Sequence, residues 1–244
     1  MNPMQTTVFC LCVTLISAPV AHAADPVLPV FDAADFATPK PNAYFPLDMG
    51  SSSTLSGTRT DGKPVVEYDV LTVQGPGLTI MGVPTILMLD EAFADGVMVE
   101  RSFDYFAADQ DGNIWYFGED VTNFRYDDAG KFLGTDSKSA WRAGVNGALP
   151  GISLSAAPVV GLTLFQEQAP ADEAMDYAEV VAVGLDITGP AGTFHDVIQM
   201  FEASTVEPDL REFKYYAPGV GMIRADEDLS KARDNPGLVA ELQP

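Results

Sequence analysis

Six oxygen-bearing side chains surround a run of aromatic residues in Asp109-Gln110-Asp111-Gly112-Asn113-Ile114-Trp115-Tyr116-Phe117-Gly118-Glu119-Asp120, the densest concentration of chemically able groups in the chain. A calcium loop of the EF-hand type places oxygen ligands at its first, third and fifth positions, a Gly at the sixth and a bidentate Glu at the twelfth. Asp109, Asp111 and Asn113 satisfy the first three requirements, but Ile114 stands where Gly is needed and Asp120 closes the stretch. Gly112 instead lies where a tight turn wants it, between strands expected over 102–107 and 114–117. The hairpin is therefore the favoured reading. Calcium is the only cofactor the sequence suggests, with Asp109, Asp111 and Asn113 as its ligands.

Other catalytic constellations are weaker. Gly151-Ile152-Ser153-Leu154-Ser155 lacks the final Gly and the helix of a nucleophile elbow. Pro218-Gly219-Val220-Gly221 reads as a turn between strands, not as a dinucleotide fingerprint. Paired carboxylates can hydrolyse glycosides, but 35 acidic residues single out no pair. His195, in a strand-like segment, is expected to be structural.

A second chemical lead is aromatic. Trp115, Tyr116, Trp141, Tyr215 and Tyr216 lie in or beside expected strands, and a curved sheet can gather such rings on a concave face that binds small apolar or lipid-like molecules. The competing explanation is that most of them fill the core.

These residues need elements to hold them, and the periodicity is that of strands. Val65 to Leu71, Val97 to Phe106 and Phe213 to Ala217 are rich in β-branched and aromatic residues. Thr60-Asp61-Gly62-Lys63, Ala94-Asp95-Gly96, Asp111-Gly112-Asn113 and Asp128-Ala129-Gly130-Lys131 supply turn chemistry. Strands at such short intervals imply a mainly β, single-domain antiparallel meander, curved into a half-barrel or a sandwich. Helix is expected only near Phe31 to Phe36, in Ala171 to Met175, or over Leu229 to Leu242, where Pro236-Gly237 interrupts the pattern.

The chain divides into a signal peptide (1–23), a Pro-rich arm (24–41), the β domain (42–225) and a polar, mobile tail (226–244). The leader carries an apolar run from Val8 to Ile16 and ends in Ala21-His22-Ala23, the small-x-small pattern of a cleavage site. Its apolar run is too short to span a bilayer, so the expected location is the periplasm or beyond. Cleavage removes Cys10, Cys12 and His22, leaving His195 as the sole imidazole and no thiol. Disulfide frameworks, Cys/His zinc sites, iron–sulfur clusters and thiol nucleophiles are then excluded by ligand count. A formal charge of -22, from 13 basic and 35 acidic residues, repels phosphate backbones and disfavours nucleic acid as a partner.

The phrases NAYFPLDMG (42–50), YFAADQDGNIWYFGED (105–120), WRAGVNGALPGI (141–152) and REFKYYAPGVGMI (211–223) resemble a family of uncharacterised exported bacterial proteins. The opening and closing motifs are also similar to those of β-rich periplasmic half-barrels akin to lipoprotein carriers. That resemblance implies a sheet curled round an apolar groove, and it supplies no catalytic residue; the chain lacks the carriers' long amphipathic helices. The expectation is a non-catalytic binding protein with a small apolar or lipid-like ligand on its aromatic face. The alternatives are a calcium-dependent binding or hydrolytic protein using the acidic loops, and an envelope protein acting through protein contacts only.

Overall fold

Turn residues set the hairpins. Asp95 and Gly96 both adopt positive φ, 49° and 80°, the type I′ geometry that matches the right-handed twist of the flanking strands. They join β3 (Val83–Ala94) to β4 (Val97–Ala108). Similar logic joins β13 (Arg211–Ala217) to β14 (Gly221–Glu227) through the Pro-Gly turn, because Pro has no N–H to lose from a ladder.

The computed structural model describes residues 25–59, 64–127 and 129–244. The leader, the turn at 60–63 and Asp128 lie outside the described residues. The remaining strands are β1 (Ser52–Arg59), β2 (Val65–Ile80), β5 (Ile114–Tyr126), β6 (Phe132–Asp136), β7 (Trp141–Arg142), β8 (Leu149–Leu154), β9 (Thr163–Phe165), β10 (Glu167–Gln168), β11 (Asp176–Gly189), β12 (Gly192–Ser204) and β15 (Leu238–Leu242). Every ladder between them is antiparallel.

The neighbour order runs β10-β8-β5-β4-β3-β2-β1-β15-β14-β13-β12-β11-β9. Its two ends, β9 and β10, are halves of one segment separated only by Gln166. Thr163–Phe165 pairs with β11, whereas Glu167–Gln168 pairs with β8. A single strand that changes partner midway thus nearly closes the antiparallel meander into a barrel, so of the half-barrel and the sandwich expected from sequence the curved single sheet is the one formed, with its open edges removed. Register shifts in the β2/β3, β3/β4, β4/β5, β11/β12 and β13/β14 ladders supply the local bends that such curvature requires.

Residues 226–244 are not a free tail. Pro236-Gly237 stops any helix over 229–242, and the alternation Leu238, Ala240, Leu242 then makes β15, paired with β14 on one side and β1 on the other. Leu238 and Ala240 bury themselves against Leu55. Period-two burial overrides the polar composition of this segment. The other helical expectations shrink to single 3₁₀ turns, Ala33–Phe36, capped by the Asp32 carboxylate, and Pro170–Asp172.

The arm docks against the barrel along its length. Val27 bridges Leu164 in parallel, and Phe31 and Phe36 pack on Trp115 and Phe117 at centroid distances of 5.5–6.0 Å. The Asn42 side chain donates to Gly112 O at 2.9 Å and accepts from the backbone N–H of Tyr44 and Phe45. It thereby turns Tyr44, Phe45 and Leu47 into the barrel's interior cluster.

At the seam, a Cβ on Gly151 of β8 would stand 2.4 Å from the Phe165 and Gln166 carbonyl oxygens. Backbone there cannot yield. Gly151→Ala is expected to cost about 2 kcal/mol or more, seen as a fall of roughly 5 °C or more in Tm by circular dichroism. An unchanged Tm would mean that the seam does not hold the barrel shut.

Candidate functional site

Strand alternation decides which residues see the interior. On β4 the inward set is Glu100, Ser102, Asp104 and Phe106; on β13 it is Glu212, Lys214 and Tyr216. Asp90 and Met88 of β3, Leu71 and Val73 of β2, and Glu202 of β12 complete the wall on neighbouring strands. Together they enclose a cavity of about 420 Å³. Phe45 closes one side, 5.0 Å from the Phe106 ring and 6.3 Å from Tyr216.

The wall is predominantly anionic. Nine carboxylates and one lysine line the cavity, an inversion of the apolar interior that a β-barrel of this size ordinarily packs. Lys214 Nζ reaches Glu202 Oε2 at 2.7 Å and Glu212 Oε1 at 3.1 Å. Burial pushes its ammonium down, but the two carboxylates outweigh that and its pKa is raised well above the ordinary value. Its side chain keeps 26 % of its surface accessible because the barrel is hollow beside it. Gln166, at the seam, donates to Glu202 Oε1 at 3.1 Å and so links barrel closure to the cavity wall.

A second group centres on Ser102. Its hydroxyl lies within hydrogen-bond distance of Asp104 Oδ1 and of Glu119 Oε2, and the Tyr116 hydroxyl donates to Asp104 at 3.2 Å. A hydroxyl has one proton to give, so a proton retained by one carboxyl of the pair relieves the crowding of acceptors around it. Burial, then the Asp104 charge, pushes Glu119 up to about 8, while burial raises Asp104 to about 6. Glu119 is therefore the protonated partner at neutral pH.

Asp90 has neither arrangement. Its Oδ1 is shut from solvent without a hydrogen-bond partner, and burial followed by the Asp69 charge drives its pKa well above the carboxylate range. Glu100, raised by burial, likewise has no hydrogen bond or ion pair to its side chain among the described residues.

Of the aromatic residues expected on a concave face, Tyr116 and Tyr216 line the cavity. Tyr116 stacks on Phe106 at 4.8 Å. Tyr215, one residue from Tyr216, necessarily points the other way, where its hydroxyl donates to Asp226 and accepts from Gln199. Trp115 is buried on the opposite face of β5, beneath the arm. Trp141 is packed edge-on behind Tyr116 at 5.4 Å and does not line the cavity itself. The sequence reading missed the acids because each was seen singly; Glu100-x-Ser102-x-Asp104 and Glu212-x-Lys214 are the period-two signals that could have found them.

The loop at 109–113 is a hairpin whose lone pairs are engaged. Asp109 Oδ1 accepts from the backbone N–H of Asp111 and Asn113, and Oδ2 from Asn113 Nδ2 and Trp115 Nε1, all at 2.8–2.9 Å. Asn113 Oδ1 accepts from Ala156 N at 2.9 Å. Burial raises the Asp109 pKa, but the bonds from Trp115, Asn113 and Asp111 prevail and hold it below the usual range. The carboxylate thus locks the turn to the first indole of β5. Among the described residues, no three His, Cys, Asp or Glu side chains are grouped so as to hold a metal. His195 stands exposed on β12 with Nδ1 2.8 Å from Asp186.

No protein-family model matches the chain, and no curated protein is significantly similar to it. Among solved structures, a Bacteroides fragilis NCTC 9343 protein of YmcC-like fold, classed among exported proteins, is 14 % identical with a TM-score of 0.44, over 83 % of this chain and 98 % of that one. A Parabacteroides distasonis ATCC 8503 protein classed with the lipoproteins is 13 % identical with a TM-score of 0.43, over 84 % and 99 %. Likenesses at this distance carry no residue roles across. Among the described residues, no helix is long and apolar enough to cross a membrane.

Two measurements test this geometry. Acids with raised pKa bind protons in the folded state before the unfolded chain does, so stability must fall as pH rises through their folded values. Glu119 at about 8, Glu227 at about 7, and Asp69 and Asp104 at about 6 define the window. Tm should accordingly rise as the buffer is taken from about pH 8 to about pH 5, and a flat or opposite profile would contradict the buried acid wall. Asp109 has the reverse sign, its contribution persisting until pH falls below the normal carboxylate range. Asp109→Ala, which strands the Trp115 indole N–H, should lower stability by about 2–4 kcal/mol in urea unfolding.

Proposed function

We propose that this is an exported binding protein that holds a small ligand inside the barrel and performs no chemistry on it. The observation that carries the reading is the cavity itself. Its volume of about 420 Å³ falls in the range of small-molecule sites, and its wall combines the rings of Phe106, Tyr116 and Tyr216 with carboxylates. Rings provide buried contact area, while the fixed polar groups orient what enters. Packed protein interiors seldom leave such a space unfilled.

The export leader supports a location outside the cytoplasm, where the protein would carry or sequester its ligand. The lining groups best able to act as nucleophile or base are held by neighbours: Lys214 by Glu202 and Glu212, and Ser102 by two carboxyls. An apolar molecule alone is a poor match to this wall, since burying the acids beneath it would leave them unsolvated. The ligand expected from sequence is thus narrowed to one with polar as well as apolar parts.

Native mass spectrometry of the protein isolated from its own envelope should show a small-molecule adduct that disappears on denaturation. Met88→Trp, which places an indole in the cavity, should abolish the adduct and keep the β spectrum. Protein that is bare in both forms would remove the reading and favour action through protein contacts.

A further inference from the structure

Resting on the cavity as a binding site, the identity of its unpaired groups specifies the ligand's charge. Lys214 answers Glu202 and Glu212, and the shared proton of the Ser102 group answers Asp104 and Glu119. Of the other five acids, Asp48 is exposed, Glu167 lies against Trp141 and Asp176 against Ser204, which leaves Asp90 and Glu100. They stand on adjacent strands: Asp90 is the register partner of Ser102 on β4 and of Leu71 on β2, and Glu100 lies two residues before Ser102 on the same inward face. Asp90 Oδ1 is buried and accepts nothing, and a buried carboxylate without a partner is among the costliest groups a protein can keep.

We propose that the cavity takes an organic amine, whose ammonium group sits between Asp90 and Glu100 and whose apolar body lies against Phe106, Tyr116 and Met88. An ammonium supplies a counter-charge to Asp90 and Glu100, whose side chains line the cavity, and neutralises a wall on which acids outnumber lysine nine to one. Electron-rich ring faces of Tyr116 and Tyr216 favour a cation in the same space. A metal ion fits less well, because the acids are spread along strands and no three of them form a ligating group among the described residues. The charge of -22 would also draw cations towards the barrel and repel anionic competitors.

Calorimetry at pH 8 with n-octylamine, n-octanol and octanoate holds the apolar body fixed and varies only the head group. Octylamine should bind, octanol at least tenfold more weakly, and octanoate not at all. Asp90→Asn and Glu100→Gln should each weaken octylamine tenfold or more. Asp90→Asn should at the same time leave Tm at pH 8 no lower than that of the parent, since an amide has the shape of the neutral acid and no charge to bury; the loss of binding then cannot be ascribed to unfolding. Octanol or octanoate binding as tightly as octylamine would overturn the cationic assignment and leave the binding function standing. No heat from any of the three at millimolar concentration would overturn both. Saturable calcium binding that is lost in Asp90→Asn would assign these carboxylates to a metal and overturn the amine.

Discussion

Closure of the sheet at Gln166 is the constraint from which the interior follows. Its backbone N–H donates to Asp176 O at 2.8 Å on the β11 side, while its side-chain amide donates to Ser153 O on β8 at 3.3 Å and to Glu202 at 3.1 Å. One residue therefore spans both margins of the sheet and the charged wall. Gly151 allows that approach, because any side chain there would meet the passing backbone. Without the seam the inward carboxylates would face bulk water and lose the burial that raises their pKa values; with it they share one confined volume and must be balanced against one another.

That balance explains the otherwise odd placement of individual groups. Lys214 is tolerated in the interior because two carboxylates bracket it, and each of them needs it in turn. Ser102 mediates between Asp104 and Glu119 on the same principle, with a proton in place of an ammonium. Outside the barrel, the arm has the complementary role. Its Phe31 and Phe36 cover Trp115 and Phe117, so the large rings of β5 that do not face the cavity still avoid water. The cavity and the aromatic core around Tyr105, Trp115 and Phe117 thus occupy opposite faces of β4 and β5.

Much of this architecture was legible in the sequence, for local reasons. The β class, the β4–β5 hairpin at Asp109–Asn113 and the Pro-Gly turn after Ala217 depend on short-range turn chemistry and period-two patterning, which the chain displays openly. Closure was not legible, since nothing in Thr163 to Gln168 marks a strand that changes partner. The facing of β5 was hidden too. An extra residue near Gly118 opposes Asp104–Phe106, so Tyr116 and Glu119, an odd number apart, both face inward. Without that bulge an alternation argument puts them on opposite sides. Likewise, β15 is short and flanked by charge, and only its pairing with the first strand reveals it as core.

A barrel selected for stability alone would fill its interior with branched aliphatic side chains, as small closed barrels do. Here Met88, Leu71 and Val73 stop short of the centre, and acids occupy the positions that further aliphatic residues could hold. Every such carboxylate costs desolvation, partly relieved by Lys214 or by a retained proton, and for Asp90 not relieved by any hydrogen bond at Oδ1. Such costs persist where a site requires them, because selection removes only what falls below the stability needed. The interior of this barrel, not its surface loops, is therefore where the proposed ligand site lies, and Asp90 is the residue at which that proposed role and the cost of burial are most directly opposed.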